Sequence, residues 1–311
     1  MARIVVVTPN PAIDVTYVVT DQAIGETHRV QRALKRPGGK GVNVARVLAL
    51  LGHEPVALLP LGGTAGDWMS AALADLGLPV IPFPVADETR TTVAIVDGAT
   101  HPTLFAEAGP HLTQAEVEGL RAAVDDACRS AGMLVVSGSL PPGLPAEEVG
   151  AWVEAAHSHE ALALVDAGGG ALLSAARAGA DILKPNESEL LEATGAANLD
   201  AGIATLIELG ARTVIVSRGA RGIVAVDRAG WRVEVEAVPH IEGNPTGAGD
   251  AATAGVASGL MEERPLPDLL RRAAALGAAA VLRPVAGEID FDAYQRFLSA
   301  GRPPTHQGAS E

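Results

Sequence analysis

Residues 246–250 read Thr-Gly-Ala-Gly-Asp and combine small side chains with a carboxylate where a helix-like segment begins. The N-terminus of a helix offers unpaired N–H groups and a partial positive charge, and it therefore binds anions. A carboxylate beside a bound phosphate is placed to take a proton from an attacking hydroxyl group. This stretch predicts phosphoryl transfer, with Asp250 next to the reacting groups.

Two other interpretations of this stretch are open. Asp is a favoured helix N-cap residue, so the carboxylate can serve the helix alone. Gly247, Gly249 and Ala252 also fit the loose dinucleotide pattern G-x-G-x-x-A. Against that pattern, the preceding strand candidate, 231–238, alternates polar and apolar residues, and little chain follows to build a dinucleotide domain.

A second glycine-rich stretch, residues 37–46, reads Pro-Gly-Gly-Lys-Gly-Val-Asn-Val-Ala-Arg. It is not a P-loop, because the spacing G-x-x-x-x-G-K-[ST] does not fit. Gly38 and Gly39 would let the backbone approach a sugar ring, and the Asn43 amide can bond a hydroxyl group with either end. The alternative is an ordinary glycine turn before a helix.

The elements that must position these motifs alternate along the chain. Short apolar runs predict strands at 3–7, 55–60, 133–137, 161–166, 181–183 and 212–217. Helical periodicity predicts helices at 41–51, 66–76, 113–129, 146–158, 187–194, 200–209, 249–261 and 266–282. Several strands lack polar alternation, which indicates burial on both faces. We therefore expect one three-layer α/β domain with a parallel sheet over residues 1–300.

Two segments, 13–20 and 91–105, instead look like solvent-facing strands, and Asp97-Gly98 is a hairpin signal. They predict a small antiparallel sheet that forms a lid, built from about residues 13–35 and 88–106. Its apolar outer face and open edges favour a homodimer through the lid. The tail, 301–311, is expected to be disordered.

Composition limits the class of protein. A net charge of −14 argues against nucleic acid or an anionic membrane as the main partner. The one cysteine, Cys128, excludes an internal disulfide and is expected in the core. We expect no signal peptide and no membrane-spanning run, and hence a cytoplasmic protein.

Taken together, the motifs resemble the phosphofructokinase-B family of ribokinase-like carbohydrate kinases, in particular its 1-phosphofructokinase and tagatose-6-phosphate kinase branch. The two glycine motifs are similar to the family's two signatures. Further matches follow in the family's order: Asn10-Pro11-Ala12-Ile13-Asp14, Thr89-Arg90, the loop 137–143, Lys184-Pro185-Asn186-x-x-Glu189 and Ser217-x-Gly219-x-x-Gly222. The resemblance covers roughly residues 2–298 and implies a ribokinase-like three-layer α/β/α domain with a small β-sheet lid.

The resemblance also implies roles for the matched residues. ATP would be the phosphoryl donor, with Mg²⁺ and, as a further option, a monovalent cation. Asp250 would be the general base, and the amides of Gly247, Ala248 and Gly249 would neutralise charge on the transferred group. The acceptor would be bound by Asp14, Arg29, Gly38, Gly39, Lys40, Asn43, Arg90 and Ser139. The nucleotide would be bound by Lys184, Asn186, Ser217, Gly219 and Gly222, with Mg²⁺ on Glu189 through water.

The cations indicate an acceptor that already carries a phosphate, because a guanidinium such as that of Arg90 binds phosphate with two parallel bonds. In a dimer, Arg29 would reach the partner's sugar phosphate. The favoured reaction converts fructose 1-phosphate into fructose 1,6-bisphosphate, and fructose 6-phosphate and tagatose 6-phosphate are the alternative acceptors. Two departures from the 1-phosphofructokinase pattern are Thr92, where Asn is usual, and 106–109, which replaces Asn-Glu-Pro-Gly.

A non-catalytic sugar-phosphate-binding regulatory protein on the same fold is the alternative from another class. Retention of Asp250, Lys184 and Glu189 argues against it, since a binding protein needs no general base. The sequence therefore favours a phosphotransferase with an alcohol group as acceptor.

Overall fold

The structure, a computed structural model, describes residues 3–97 and 103–300 and the backbone of 305–307. Its strands are β1 (Arg3–Val7), β2 (Ala12–Val18), β3 (Arg32–Gly38), β4 (Pro55–Leu61), β5 (Val80–Pro84), β6 (Arg90–Val96), β7 (Thr103–Ala106), β8 (Ala131–Ser137), β9 (Leu162–Asp166), β10 (Ile182–Leu183), β11 (Thr213–Ser217), β12 (Ile223–Asp227), β13 (Arg232–Val235) and β14 (Thr305–Gln307). Its helices are α1 (Lys40–Leu50), α2 (Gly63–Asp75), α3 (Gln114–Cys128), α4 (Glu147–Ser158), α5 (Gly169–Arg177), α6 (Glu187–Thr194), α7 (Leu199–Leu209), α8 (Ala248–Met261), α9 (Leu266–Val281) and α10 (Phe291–Ala300).

A ten-stranded sheet forms the centre, in the order β14-β13-β12-β11-β10-β9-β8-β1-β4-β5. From β11 to β5 every neighbouring pair is parallel, whereas β12, β13 and β14 add an antiparallel edge. Strand β1 lies between β4 and β8, with Val5 opposite Val56 on one side and Leu134 on the other. The expected three-layer α/β fold with a mostly parallel sheet is confirmed.

Alternate side chains of β1 enter two separate hydrophobic layers. Ile4 and Val6 pack with α1, α2, α8 and α9, and Val5 and Val7 pack with α3, α4 and α5. Each of the four is fully buried, and burial of such a side chain contributes roughly 1.5–3 kcal/mol. The absence of polar alternation in these strands thus follows from helices covering both faces. Cys128 is buried in the second layer, as predicted.

The lid is a four-stranded sheet in the order β3-β2-β6-β7. Its central pair, β2 and β6, is parallel, with Asp14 opposite Thr92, and only the outer pairs are antiparallel. The predicted small β-sheet lid is confirmed, and it is antiparallel at its outer pairs, whereas both central strands leave the main sheet in the same direction. Strands β6 and β7 do pair as predicted, but Gly98 of the predicted turn lies outside the described residues.

Several elements were not predicted, among them α5, α10, β5 and β14. Helix α5 follows Gly168 and begins with Gly169-Gly170, and the low helix propensity of glycine hides this start in the sequence. Residues 305–307 pair with β13 although disorder was expected there, and the rest of the tail lies outside the described residues. No helix within the described ranges combines the length and apolar character needed to cross a membrane.

Candidate active site

A cavity of about 340 Å³ opens where the carboxyl ends of the parallel strands meet the lid. Parallel α/β sheets commonly bind ligands at this edge. The lining residues come from β2, α1, β6, the ends of β9 to β11 and the start of α8: Ala12, Asp14, Gly39, Lys40, Asn43, Arg90, Thr92, Asp166, Lys184, Asn186, Glu189, Ser217, Thr246, Gly247, Gly249 and Asp250. Both glycine-rich motifs therefore reach one cavity.

The start of α8 is built around Gly247. Its φ of 86° is in the left-handed region, and a Cβ there would lie 2.8 Å from the Ala286 Cβ, so only glycine fits. Gly247 and Gly249 line the cavity, and the first turn of a helix leaves its N–H groups without intrahelical acceptors. The Ala248 amide instead donates to the Pro245 carbonyl oxygen at 3.2 Å. Of the three predicted amide donors, this one is already engaged.

Asp250 is buried in the first turn of α8 and faces the cavity. Burial raises its pKa to about 6; a hydrogen bond from Asn43 opposes this shift, and the nearby carboxylate of Asp166 adds to it. The Asn43 side-chain amide donates to Asp250 Oδ2 at 2.8 Å, which fixes the carboxylate between α1 and α8. A carboxylate with a pKa about one unit below neutral is suited to accept a proton at physiological pH.

Asp14 points into the cavity from β2. A Cβ on Gly38 would lie 2.0 Å from Asp14 Oδ2, so the glycine leaves room for this carboxylate. Gly38 does not itself line the cavity, whereas Gly39 does. Burial raises the pKa of Asp14 to about 6, although Arg90 and Arg46 act to lower it.

Arg90, at the start of β6, is held in place by backbone carbonyls. Its Nε and Nη2 donate to the Asn10 oxygen at 3.2 and 3.1 Å, and its Nη1 donates to the Glu107 oxygen at 3.0 Å. Because a guanidinium has five N–H groups, two remain for a ligand. Arg90 is therefore a hydrogen-bond donor held in position for an anion rather than a mobile surface side chain.

A second cavity of about 440 Å³ adjoins the first and shares Lys40, Arg90 and Glu189 with it. Ser139 and the start of α5, at Gly168 and Gly170, line its other walls. Two cationic side chains and a hydroxyl group thus meet in a space next to the one that holds Asp250.

Lys184 and Asp166 form a buried ion pair on the floor of the main cavity, with Nζ 3.1 Å from Oδ2. The Thr253 hydroxyl also donates to Asp166 Oδ2, at 2.5 Å. Asp166 was not predicted as a site residue. Its place as the last residue of an apolar strand, at the edge where α/β sites form, was the available signal.

Glu189 belongs to a capping box at the start of α6. Its Oε2 accepts the Asn186 N–H at 2.9 Å, and Asn186 Oδ1 accepts the Glu189 N–H at 2.8 Å. Its Oε1 accepts from Lys40 Nζ at 3.0 Å, so an ammonium lies beside the carboxylate that was predicted to hold a metal cation. Oxygen donors suit Mg²⁺. Within the described ranges, however, no three His, Cys, Asp or Glu side chains are close enough to chelate a metal directly. The donors fit a cation that retains water.

The lid is tied to the main domain beside the site. Arg36 of β3 contacts Glu288 at 2.5 Å, and Arg46 of α1 and Arg283 reach the same carboxylate at 3.6 and 3.1 Å. The loop that carries Glu288 also packs on the start of α8, through Ala286. This cluster connects the lid, the Asn43 helix and the helix that carries Asp250.

Five predicted site residues line neither cavity: Gly38 and Ala248, described above, and Arg29, Gly219 and Gly222. Arg29 is exposed on the segment between β2 and β3. Gly219 and Gly222 bound a 3₁₀ turn after β11, with φ of 57° and 83°. A Cβ on Gly222 would lie 2.1 Å from the Val235 carbonyl oxygen, so close packing against β13 explains why this position is a glycine.

Comparison with known proteins places this site in a family. The model of the pfkB family carbohydrate kinases matches residues 2–291. The ATP-dependent 6-phosphofructokinase isozyme 2 of Mycobacterium tuberculosis is 33% identical over 99% of this chain and 93% of its own length. Two structures of phosphofructokinase-2 from Escherichia coli are 29% identical and cover 96% of this chain and 99% of theirs. The complex with fructose-6-phosphate has a TM-score of 0.86, and the complex with potassium has 0.89.

The chain belongs to the pfkB family of carbohydrate kinases, as the motifs predicted. Within that family it is a phosphofructokinase-type sugar-phosphate kinase, which transfers phosphate to a hydroxyl group. ATP as the phosphoryl donor follows from the family.

Proposed function

We propose that the protein phosphorylates fructose 6-phosphate at its C1 hydroxyl group, with ATP as donor. The observation that carries this proposal is the meeting of Asp250, Asp14 and Arg90 in one cavity: a proton acceptor, a partner for sugar hydroxyl groups and a hydrogen-bond donor to a phosphate. The names of the relatives support fructose 6-phosphate over fructose 1-phosphate. So do Thr92 and residues 106–109, which depart from the 1-phosphofructokinase pattern.

In the proposed reaction, Asp14 and Asn43 orient the acceptor hydroxyl groups, and Arg90 with Ser139 binds the phosphate already on the sugar. The C1 oxygen attacks the γ-phosphorus, a new O–P bond forms, and the bond to ADP breaks. Asp250 takes the C1 hydroxyl proton, and its hydrogen bond from Asn43 keeps the carboxylate directed at that oxygen. The N–H groups at the start of α8 stabilise charge on the transferred group.

We assign the phosphates of ATP to the side of the cavity formed by Lys184, Asn186 and Ser217. Magnesium, when bound, neutralises phosphate charge there, and Glu189, Asn186 and Asp166 would hold it through water. The loop at Gly219 and Gly222 would contact the rest of the nucleotide. The potassium complex of the E. coli relative supports a monovalent cation as a further activator, which a comparison of rates in potassium and tetramethylammonium salts tests.

A coupled assay of ADP release tests the acceptor, with fructose 6-phosphate, fructose 1-phosphate, tagatose 6-phosphate and free fructose compared under the same conditions. We expect the highest kcat/KM with fructose 6-phosphate. A higher kcat/KM with fructose 1-phosphate would contradict fructose 6-phosphate as the acceptor. Phosphorylation of free fructose but of no sugar phosphate would contradict the role of Arg90 in phosphate binding.

We further propose a homodimer through the lid. Phe105 on the edge strand β7 is 58% exposed, an apolar side chain that a second lid would cover. Arg29, exposed on the lid of one protomer, would then reach the sugar phosphate of its partner. Light scattering should give twice the monomer mass for the wild type and a lower mass for Phe105→Ser. A fully active monomer would exclude the dimer as a requirement.

A further inference from the structure

Lys40 joins the acceptor motif to the proposed metal motif. It is the first residue of α1, and its Nζ lies 3.0 Å from Glu189 Oε1, 149 positions further along the chain. Its side chain lines both cavities. The chain has only three lysines, Lys35, Lys40 and Lys184, and Lys184 is already paired with Asp166.

The surroundings of Lys40 keep its side chain charged. Burial acts to lower its pKa, but Asp166, Glu189 and Asp250 together raise it above the ordinary value. The ammonium therefore offsets carboxylate charge in the free enzyme, as a bound metal cation would. The two cations would occupy the same negative region.

Both oxygens of Glu189 already accept a hydrogen bond: Oε2 from the Asn186 N–H and Oε1 from the Lys40 ammonium. A metal cation brought to Oε1 would be repelled by the ammonium 3.0 Å away, so the two cations compete for this oxygen. When the cation arrives with a nucleotide, the phosphates offer the ammonium a new partner. When the cation arrives alone, no phosphate is present to take up the ammonium.

We propose that Lys40 is an exchange residue: it holds Glu189 Oε1 in the free enzyme and releases it to the metal only when nucleotide phosphates take up its ammonium. This inference rests on the proposed function for the place of the metal. It makes the free enzyme a weak binder of the metal alone, and it couples metal binding to nucleotide binding.

Titration of the nucleotide-free protein with Mn²⁺, followed by electron paramagnetic resonance, tests this exchange. Lys40→Met should bind Mn²⁺ about tenfold more tightly than the wild type, because the competing charge-assisted hydrogen bond is gone. The matched control is Lys35→Met, which removes the same charge from a lysine that stacks on Trp68 outside both cavities. It should stay within about twofold of the wild type. Unchanged or weaker Mn²⁺ binding in Lys40→Met would overturn the proposal.

A second readout follows the ammonium itself. With ¹³Cε-labelled lysine the protein gives three lysine signals, and the one lost in Lys40→Met assigns Lys40. Magnesium with a non-hydrolysable ATP analogue should shift the Lys40 signal, magnesium alone should leave it in place, and Lys35 should not respond. A Lys40 signal whose position does not change when magnesium and the nucleotide analogue bind would overturn the exchange.

The two proposals fail separately. A wild type that releases ADP with a sugar phosphate, together with unchanged Mn²⁺ affinity in Lys40→Met, would reject the exchange and leave the function standing. A wild type with no kinase activity towards any sugar phosphate would reject the proposed function, whatever the metal titration shows.

Discussion

Replacing Asp250 by Asn should lower the catalytic rate and raise the stability of the fold. The burial that raises the pKa of this carboxylate also makes its charged form unfavourable in the folded protein. Asn keeps the shape of the side chain and an oxygen to accept from Asn43, but it cannot take a proton. We expect kcat to fall by ~10²–10⁴-fold, the usual contribution of a positioned general base. The KM values should change little, since the acceptor contacts of Asp14 and Arg90 remain.

The stability change has the opposite sign. In the folded protein the pKa of Asp250 is raised from 3.8 to about 6, and each pKa unit corresponds to about 1.4 kcal/mol. Below pH 4 the group is protonated in both the folded and the unfolded chain, and its ionisation costs nothing. As the pH rises through 6, the folded state loses about 3 kcal/mol relative to its stability at low pH. The side chain of Asp250→Asn does not ionise, so the variant avoids this loss. It should be more stable than the wild type by about 3 kcal/mol at pH 8 and by about half as much at pH 5.

The assay pairs steady-state kinetics with urea unfolding at pH 5 and pH 8. Asp126→Asn is the control: this helix-surface carboxylate is exposed, and its removal should change neither kcat nor stability. If Asp250→Asn retains more than about a tenth of the wild-type kcat, a general base of this strength is untenable. If the variant is less stable than the wild type at pH 8, the assigned cost of burying the charge is wrong.

Three further results are expected. Arg90→Ala should raise the KM for the sugar phosphate by roughly 10- to 150-fold while sparing the KM for ATP, because one charge-assisted contact is lost; equal changes in both constants would contradict an acceptor-specific role. Since burial raises the pKa of Asp14 to about 6, the acceptor KM should rise as the pH falls through 6, and this dependence should disappear in Asp14→Asn. Arg36→Gln should raise the acceptor KM by about threefold, because it breaks the lid contact to Glu288; the control Arg283→Gln removes a charge from the same carboxylate without touching the lid, and an equal effect would disprove the lid explanation.

The order of the motifs and the periodicity of the apolar runs determined much of this protein in advance. Buried parallel strands admit no polar alternation, so runs such as 133–137 revealed the central sheet without any tertiary information. Helix α3 begins with a capping box of Thr113 and Glu116, and this feature is equally local, because its two hydrogen bonds join residues three positions apart. The start of α8 at residues 247–250 followed from the preference of small residues and Asp for helix starts.

Only the tertiary structure decided which charges meet. The contact between Asn43 and Asp250 spans 207 positions and that between Lys40 and Glu189 spans 149, and no local pattern encodes such distances. For the same reason the sequence did not reveal the buried ion pair of Asp166 with Lys184 on the floor of the cavity. Gly38 was predicted to touch the sugar, but it makes room for Asp14 across a pair of lid strands. Propensity acts along the chain, whereas the electrostatics of a site depend on which strand ends converge, and that is fixed by the packing of the whole sheet.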